Sequence, residues 1–274
     1  MLLWEKFLLG SDDITLIDAI TISGLTSGLK ICLDAGDHLS YTSGEKWLDR
    51  SGNGNDYFLG PDATTTANPT FNGGPGGASI AEYWSFNGSQ YFRMDSTVPS
   101  WVSNLHKDGA KFSWMAAVYF GSSFDGVLWS SRRTSPAYPG MVSFFPTSGR
   151  PSIAGLTDGG ETLINGIADN PLSLGQWYIV GGSIEETGGI ASFLYRNGGY
   201  DPMDGGQNAW NGAYSSSPTI DTNKLDIAGS SPGSGDALFP TGSRLAFFAF
   251  WEGLKLTKIQ MDSIYSLLRG RFGI

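Results

Sequence analysis

A single cysteine, Cys32, stands among 274 residues, so no disulfide can form within the chain. The fold therefore draws nothing from an oxidising compartment. Histidine is almost as scarce: His38 and His106 are the two present, far apart in sequence. With one cysteine they cannot supply the clustered Cys/His ligands of a zinc centre. Charge is sparse as well, at 16% of residues, against about 25% in an average chain. The net charge is −9, and no basic run exceeds the pair Arg132–Arg133. Phosphate contacts need a basic stripe, so no nucleic-acid partner is expected; solubility alone accounts for the acidity. No stretch of about 18 apolar residues occurs, and no helical membrane span is expected. The opening "MLLWEKFLLGSDD" starts like a secretory leader, but Glu5 and Lys6 interrupt it and no small-residue cleavage pattern follows. The expectation is a chain without a signal peptide, folded in a cytoplasm.

Glycine and aromatics are plentiful. There are 39 glycines, about twice the usual ~7%. Nine Trp, eleven Tyr and sixteen Phe need burial, so the chain is globular and loop-rich. Short runs rich in Val, Ile, Phe, Tyr and Trp recur between Gly and Pro: "KICLD", "KFSWMAAVYF", "GVLWSS", "MVSFFP", "PSIAGL", "GQWYIVGGSI", "IASFLYRNGG", "KLDIAG" and "SRLAFFAFWEG". Such spacing predicts a sandwich or jelly roll. Asn87-Gly88, between two aromatic runs, predicts a tight hairpin. Thr257 with Gln260 predicts a capping box, and Ile259, Ile264, Leu267 and Leu268 a common helix face ended by Gly270. Residues 1–28 differ in character. Ile14, Leu16, Ile20 and Ile22 at even spacing suggest a first strand; the apolar Leu2, Leu3, Trp4, Phe7 and Leu8 suggest instead an arm that attaches to a partner.

Several patches taken in order resemble the concanavalin A-like, or laminin-G-like, jelly roll. They are "LDAGD" with "WLDRSGNGN", "WSFNGSQYF", "FSWMAAVYF", "GQWYIVGGSIEETGGIASFLYRNG", "LDIAG", and the closing "LAFFAFWEGLKLTKIQMDSIYSLLRGRFGI", covering 29–274. The resemblance implies an all-β, two-sheet antiparallel jelly-roll sandwich of the concanavalin A-like lectin/glucanase fold, with one short C-terminal helix. The combination "LDAGD…SGNGN…RFGI" is most similar to modules on tailed-phage particles. That likeness implies a non-enzymatic virion component: a capsid decoration, spike or tail appendage located on the virion. Its partners would be the major capsid protein or tail proteins, a second copy in a homo-oligomer, and a host-surface glycan. A free lectin or adhesion module is the first alternative and a glycoside hydrolase or lyase the second.

Glycoside hydrolysis usually needs two carboxylates facing one another across the scissile bond. No strand offers acids at alternate positions in an E-x-D-x-x-E pattern, and Glu185 and Glu186 are adjacent, on opposite faces of what reads as a turn. "GSSPG" (229–233) matches G-x-S-x-G at Ser231, but Pro232 prevents the helix that a nucleophile elbow requires. Calcium is the best metal candidate, through Asp49, Asn53 and Asn55. Against it, Asp49, Ser51 and Asn53 are the residue types that bond their own backbone in turns. For sugar binding the most attractive stretch is 198–214, with Tyr200, Asp201, Asp204, Asn208, Trp210, Asn211 and Tyr214; long loops are often functional. Trp101 and Tyr138 are further loop aromatics. Trp84, Trp114, Trp129, Trp177, Phe247 and Trp251 are expected in the core.

Overall fold

A computed structural model describes residues 14–60, 68–73, 82–95, 97, 99–106, 109–132, 140–156, 162–186, 192–203, 224–229 and 238–274. Sheet A contains β1 (Leu29–Asp34), β4 (Thr70–Asn72), β5 (Tyr83–Ser85), β7 (Lys111–Tyr119), β12 (Trp177–Glu185), β13 (Phe193–Arg196), β14 (Gly199–Pro202) and β16 (Arg244–Glu252). Its order is β14-β13-β12-β7-β16-β5-β4, and β1 shares with β5 the far edge of β16. Sheet B contains β2 (Lys46–Trp47), β3 (Tyr57–Leu59), β6 (Phe92–Met94), β8 (Gly126–Ser130), β9 (Gly140–Phe145), β10 (Ser152–Leu156), β11 (Thr162–Ile167) and β15 (Asp226–Ile227). Its order is β11-β10-β9-β8-β15-β6-β3-β2. The strand pairs of both sheets are antiparallel, and the chain is the two-sheet sandwich expected.

The sandwich interior follows from strand parity. Phe112, Trp114, Ala116 and Val118 of β7 face sheet B, where they meet Trp47, Phe92, Trp129 and Phe145. Met115 and Ala117 of the same strand face outward, yet they are buried too. Two helices explain this: α1 (Leu16–Ile22) and α2 (Lys258–Leu268) lie against that outer face and give it a second core with Ile179, Tyr195, Phe247 and Trp251. A strand covered on both faces reads as a continuous apolar run, as "FSWMAAV" does.

Helix α1 corrects the first-strand expectation. Thr15 and Asp18 form a reciprocal capping box, and Leu16, Ala19 and Ile20 make one buried helical face. The even spacing of Leu16 and Ile20 was equally compatible with i, i+4. The attachment-arm residues Leu2, Leu3, Trp4, Phe7 and Leu8 lie outside the described residues. Helix α2 has the expected Thr257–Gln260 capping box. Its buried face is Met261, Ile264 and Leu268, however, while Ile259 is 77% exposed. The chain then continues into a 3-10 turn (Arg269–Phe272), and Gly273, not Gly270, takes the left-handed terminal position.

The Asn87-Gly88 hairpin is also corrected. The flanking runs enter different sheets: β5 pairs with β4 and β16, while β6 pairs with β3 and β15. The turn is a corner between layers, closed by Ser89 N–H donating to Asn87 Oδ1 and Asn87 N–H to Gln90 Oε1. His106 and Trp101 are not loop residues either; both are buried on a 3-10 helix (Ser100–His106). His38 is exposed, as expected for a polar loop.

Asp34 joins three parts of the chain. Its carboxylate accepts Leu16 N–H at the start of α1 (2.7 Å), Gly36 N–H (3.0 Å), and two N–H groups of Arg271 (2.8 and 2.7 Å). Both side chains are buried. "RFGI" is thus a tail pinned back onto the first strand.

Candidate functional site

The opening loop "WLDRSGNGN" closes on β1. Asp49 accepts the N–H groups of Cys32 (2.9 Å), Ser51 (2.9 Å) and Asn55 (3.1 Å) and the Ser51 hydroxyl (2.6 Å). Asn53 and Asn55 each turn a side-chain amide inward, donating to the carbonyls of Leu29 and Lys30. The strand edge of β1 away from β16 is capped by this loop, which keeps it from pairing with another chain. The candidate calcium ligands Asp49, Asn53 and Asn55 are therefore brought together, with Asp49's oxygens already engaged by protein donors. Among the described residues no group of three or more His, Cys, Asp or Glu is placed to hold a metal. Cys32 beneath the loop has its thiol pushed well above the usual range, first by burial and then by the charges of Asp34, Asp49 and Asp37. It is an inert core thiol rather than a nucleophile.

Of the candidate sugar-binding stretch, Tyr200 and Asp201 lie on β14, the outer edge strand of sheet A. Asp204, Asn208, Trp210, Asn211 and Tyr214 lie outside the described residues, as do Tyr138 and Ser231. Tyr200 is opposite Tyr195 and Asp201 opposite Leu194. The first pair faces outward and the second inward, so Tyr200 and Asp201 serve opposite faces. Tyr200 is 50% exposed and meets Phe193 edge-on.

Asp201 has its carboxyl raised above the usual aspartate range, chiefly by burial and then by the charge of Asp169. The Arg196 charge and hydrogen bonds from the Asp169 backbone and the Asn170 side chain oppose that rise. A carboxyl raised in the folded state costs no stability at a pH low enough to protonate it in both states. Between the unfolded value and the raised folded one, the unfolded chain ionises first and stability falls as pH rises. Asp201→Asn is expected to raise the thermal midpoint at pH 7 and to leave it unchanged near pH 3. A variant less stable than the parent at pH 7 in thermal scans would refute this.

A more extensive site lies on the outer face of sheet A, at the end that α1 and α2 leave bare. Trp177 of β12 is opposite Tyr119 of β7, and Tyr119 is opposite Arg244 of β16. Arg244 is in turn opposite Ser85 of β5, which is opposite Thr70 of β4. Tyr83, two residues before Ser85, shares its face and is opposite Asn72. One row of side chains thus crosses five strands. Trp177, Tyr119, Arg244, Tyr83, Ser85 and Asn72 are each half-buried. The rings touch in sequence: Tyr119–Trp177 at 5.7 Å, Tyr83–Trp177 at 5.7 Å, and Trp177–Phe272 at 5.1 Å from the pinned tail. The Arg244 guanidinium lies over Tyr83 at 4.6 Å and over Tyr119 at 4.4 Å. Asn72 Nδ2 donates to Ser85 Oγ at 2.9 Å, which orients the amide at the far end of the row.

Trp177 was expected in the core; it is instead a partly exposed member of this row. Tyr83, Tyr119 and Arg244 carried no signal of their own. Their common face depends on cross-strand register, and in β16 on a bulge between Leu245 and Phe247. Chemically, the row offers flat π surfaces for apolar ring faces, an arginine donor set and an amide. It has no nucleophile–base pair. Glu185, the acid nearest the expected carboxylate pattern, lies at the other end of β12, held below its usual range chiefly by a hydrogen bond from Lys111.

No family model matches the chain, and no curated protein matches it significantly. Solved structures do resemble it. A Trypanosoma rangeli sialidase in complex with sialic acid superposes with a TM-score of 0.57 at 12% identity, over 89% of this chain and 33% of that one. Botulinum neurotoxin type C, dependent on two ganglioside molecules for getting into cells, gives 0.53 at 10% identity over 90% and 53%. The binding domain of botulinum neurotoxin DC in complex with SialylT gives 0.53 at 9% identity over 88% and 52%. The chain therefore spans about a third to a half of these proteins, and at such identities the likeness shows the fold. It also corrects one expectation. Sialidases are glycoside hydrolases, so the inference that this chain is not an enzyme, drawn from a missing carboxylate pair, does not stand. The phage-particle role finds no support among these neighbours.

Proposed function

We propose that this chain is a carbohydrate-binding β-sandwich module that takes its glycan on the outer face of sheet A. The observation that carries this reading is the half-exposed row Trp177–Tyr119–Arg244–Tyr83 with Asn72 at its end. A pyranose presents an apolar C–H face and a rim of hydroxyls. Trp177 and the tyrosines match the first, Asn72 and Arg244 the second, and few rotatable bonds are frozen on binding because the rings already support one another. The fold's occurrence in a sialidase and in a ganglioside-dependent toxin supports the same reading.

The test is a glycan array followed by calorimetry on the best binder. Trp177→Ala is expected to weaken binding at least about tenfold, equivalent to about 1.4 kcal/mol, with the far-UV spectrum unchanged. Trp210→Ala serves as the competing variant, because it reports on the 198–214 stretch. Loss of binding with Trp210→Ala and none with Trp177→Ala would move the site to that stretch. Turnover of the bound glycan, followed by reducing-end release, reads out hydrolysis in the same experiment.

A further inference from the structure

We infer that Arg244 makes this row selective for sugars that bear a carboxylate, an inference that rests on the carbohydrate-binding reading above. The guanidinium is held between the rings of Tyr83 and Tyr119, on the two strands flanking its own. Rings on both sides cover its faces and leave its edge, where the N–H donors point, as the part that can engage a partner. Many cationic side chains elsewhere in the fold have their donors engaged. Lys30, Lys46, Arg50, Lys111, Lys255, Lys258 and Arg271 pair with carboxylates. Arg150 and Arg196 donate to backbone carbonyls. Arg244, like Arg93 and Arg269, has neither kind of partner among the described residues, and of these three it is the one that lies over two rings, in a chain with 26 acidic and 17 basic side chains.

A planar, permanently charged fork, fixed by stacking and free at its edge, fits one ligand group best. A carboxylate accepts two parallel N–H bonds from it, and neither a hydroxyl nor an amide can do so. The flanking rings set the distance scale: Trp177 meets Tyr119 and Tyr83, each at 5.7 Å between ring centroids. A sugar ring lying on Trp177 and Tyr119 places a substituent over the arginine. Serine and asparagine at positions 85 and 72 lie beyond it, so the ligand's far side meets hydroxyl and amide rather than a second charge.

The test measures binding of the full chain to two acidic probes and their neutral counterparts: 3′-sialyllactose against lactose, and trigalacturonate against galactotriose. Calorimetry at low salt is expected to show one acidic probe bound at least about tenfold more tightly than its neutral partner. Which acidic probe it is identifies the source of the carboxylate. The preference is expected to shrink in 0.5 M NaCl, to vanish in Arg244→Gln, and to return only in part in Arg244→Lys, which restores charge without the fork. The wild-type comparison and its salt dependence need no variant, so a poorly folded mutant does not decide the outcome. Equal binding of acidic and neutral probes, or a preference that survives Arg244→Gln, overturns the inference and leaves the carbohydrate reading intact. Absence of binding to every glycan on the array overturns both.

Discussion

Replacing Arg271 by leucine is expected to lower stability by about 3–5 kcal/mol, the usual cost of removing one partner of a buried ion pair. The pair is bidentate at 2.8 and 2.7 Å, and both side chains are inaccessible. Without the guanidinium, the Asp34 carboxylate stays buried with two backbone donors, from Leu16 and Gly36. Those donors belong to the start of α1 and the turn after β1, so loss of the pair is felt at three places at once. Arg271→Lys is expected to recover only part of the loss, because an ammonium cannot make two parallel bonds to one carboxylate. Urea unfolding of the two variants measures this. A loss under about 1 kcal/mol for Arg271→Leu, against a total stability of about 5–15 kcal/mol, would show that the tail is not pinned by this pair. Phe272 touches Trp177 at 5.1 Å, so freeing the tail is also expected to weaken glycan binding at the row.

Trp114→Ala is expected to cost a similar amount, about 3–5 kcal/mol, for a different reason. Trp114 is 1% exposed at the centre of the sandwich, with Trp129 at 5.2 Å and Phe112 at 6.0 Å. On the neighbouring strand it faces Gly182, its partner in register. A β-carbon at Gly182 would overlap the indole. The glycine exists to admit the ring, and it has no side chain that could collapse into the hole. Gly182→Ala on its own is expected to cost about 1–3 kcal/mol by overpacking. Combined with Trp114→Ala it should cost less than the sum, since the methyl then occupies vacated space. Denaturant unfolding of the two single variants and the double closes the cycle. Strict additivity would show that glycine and indole do not share this space.

The fold was legible because its signals are local and repeated. Runs such as "MVSFFP" and "SRLAFFAFWEG" carry strand propensity, and Gly and Pro mark their ends. The Thr257–Gln260 cap announces α2 within four residues. The Asp49–Ser51–Asn53 turn was legible for the same reason: these side chains reach only their own loop and the strand beside it. Errors arose where a local signal left the partner open. Asn87-Gly88 does encode a turn, but no residue near it states that the two runs belong to different sheets. Ile14 to Ile22 suits period two or period four, and the choice is made by Thr15, Asp18 and the distant Asp34.

The row on sheet A was not legible at all. Trp177, Tyr119, Arg244 and Tyr83 come from four strands scattered along the chain. In β16, moreover, alternation counted back from Trp251, Ala249 and Phe247 places Arg244 on the inner face. The bulge between Leu245 and Phe247 reverses that parity and sends the arginine outward between two tyrosines. Composition and short-range pattern by themselves determined an all-β sandwich with a capped C-terminal helix and no disulfide, because those properties depend on neighbours in sequence. Tertiary structure decided which aromatics are sealed and which remain at the surface, since burial of an outward-facing strand residue depends on whether a helix or the Arg271-pinned tail covers it.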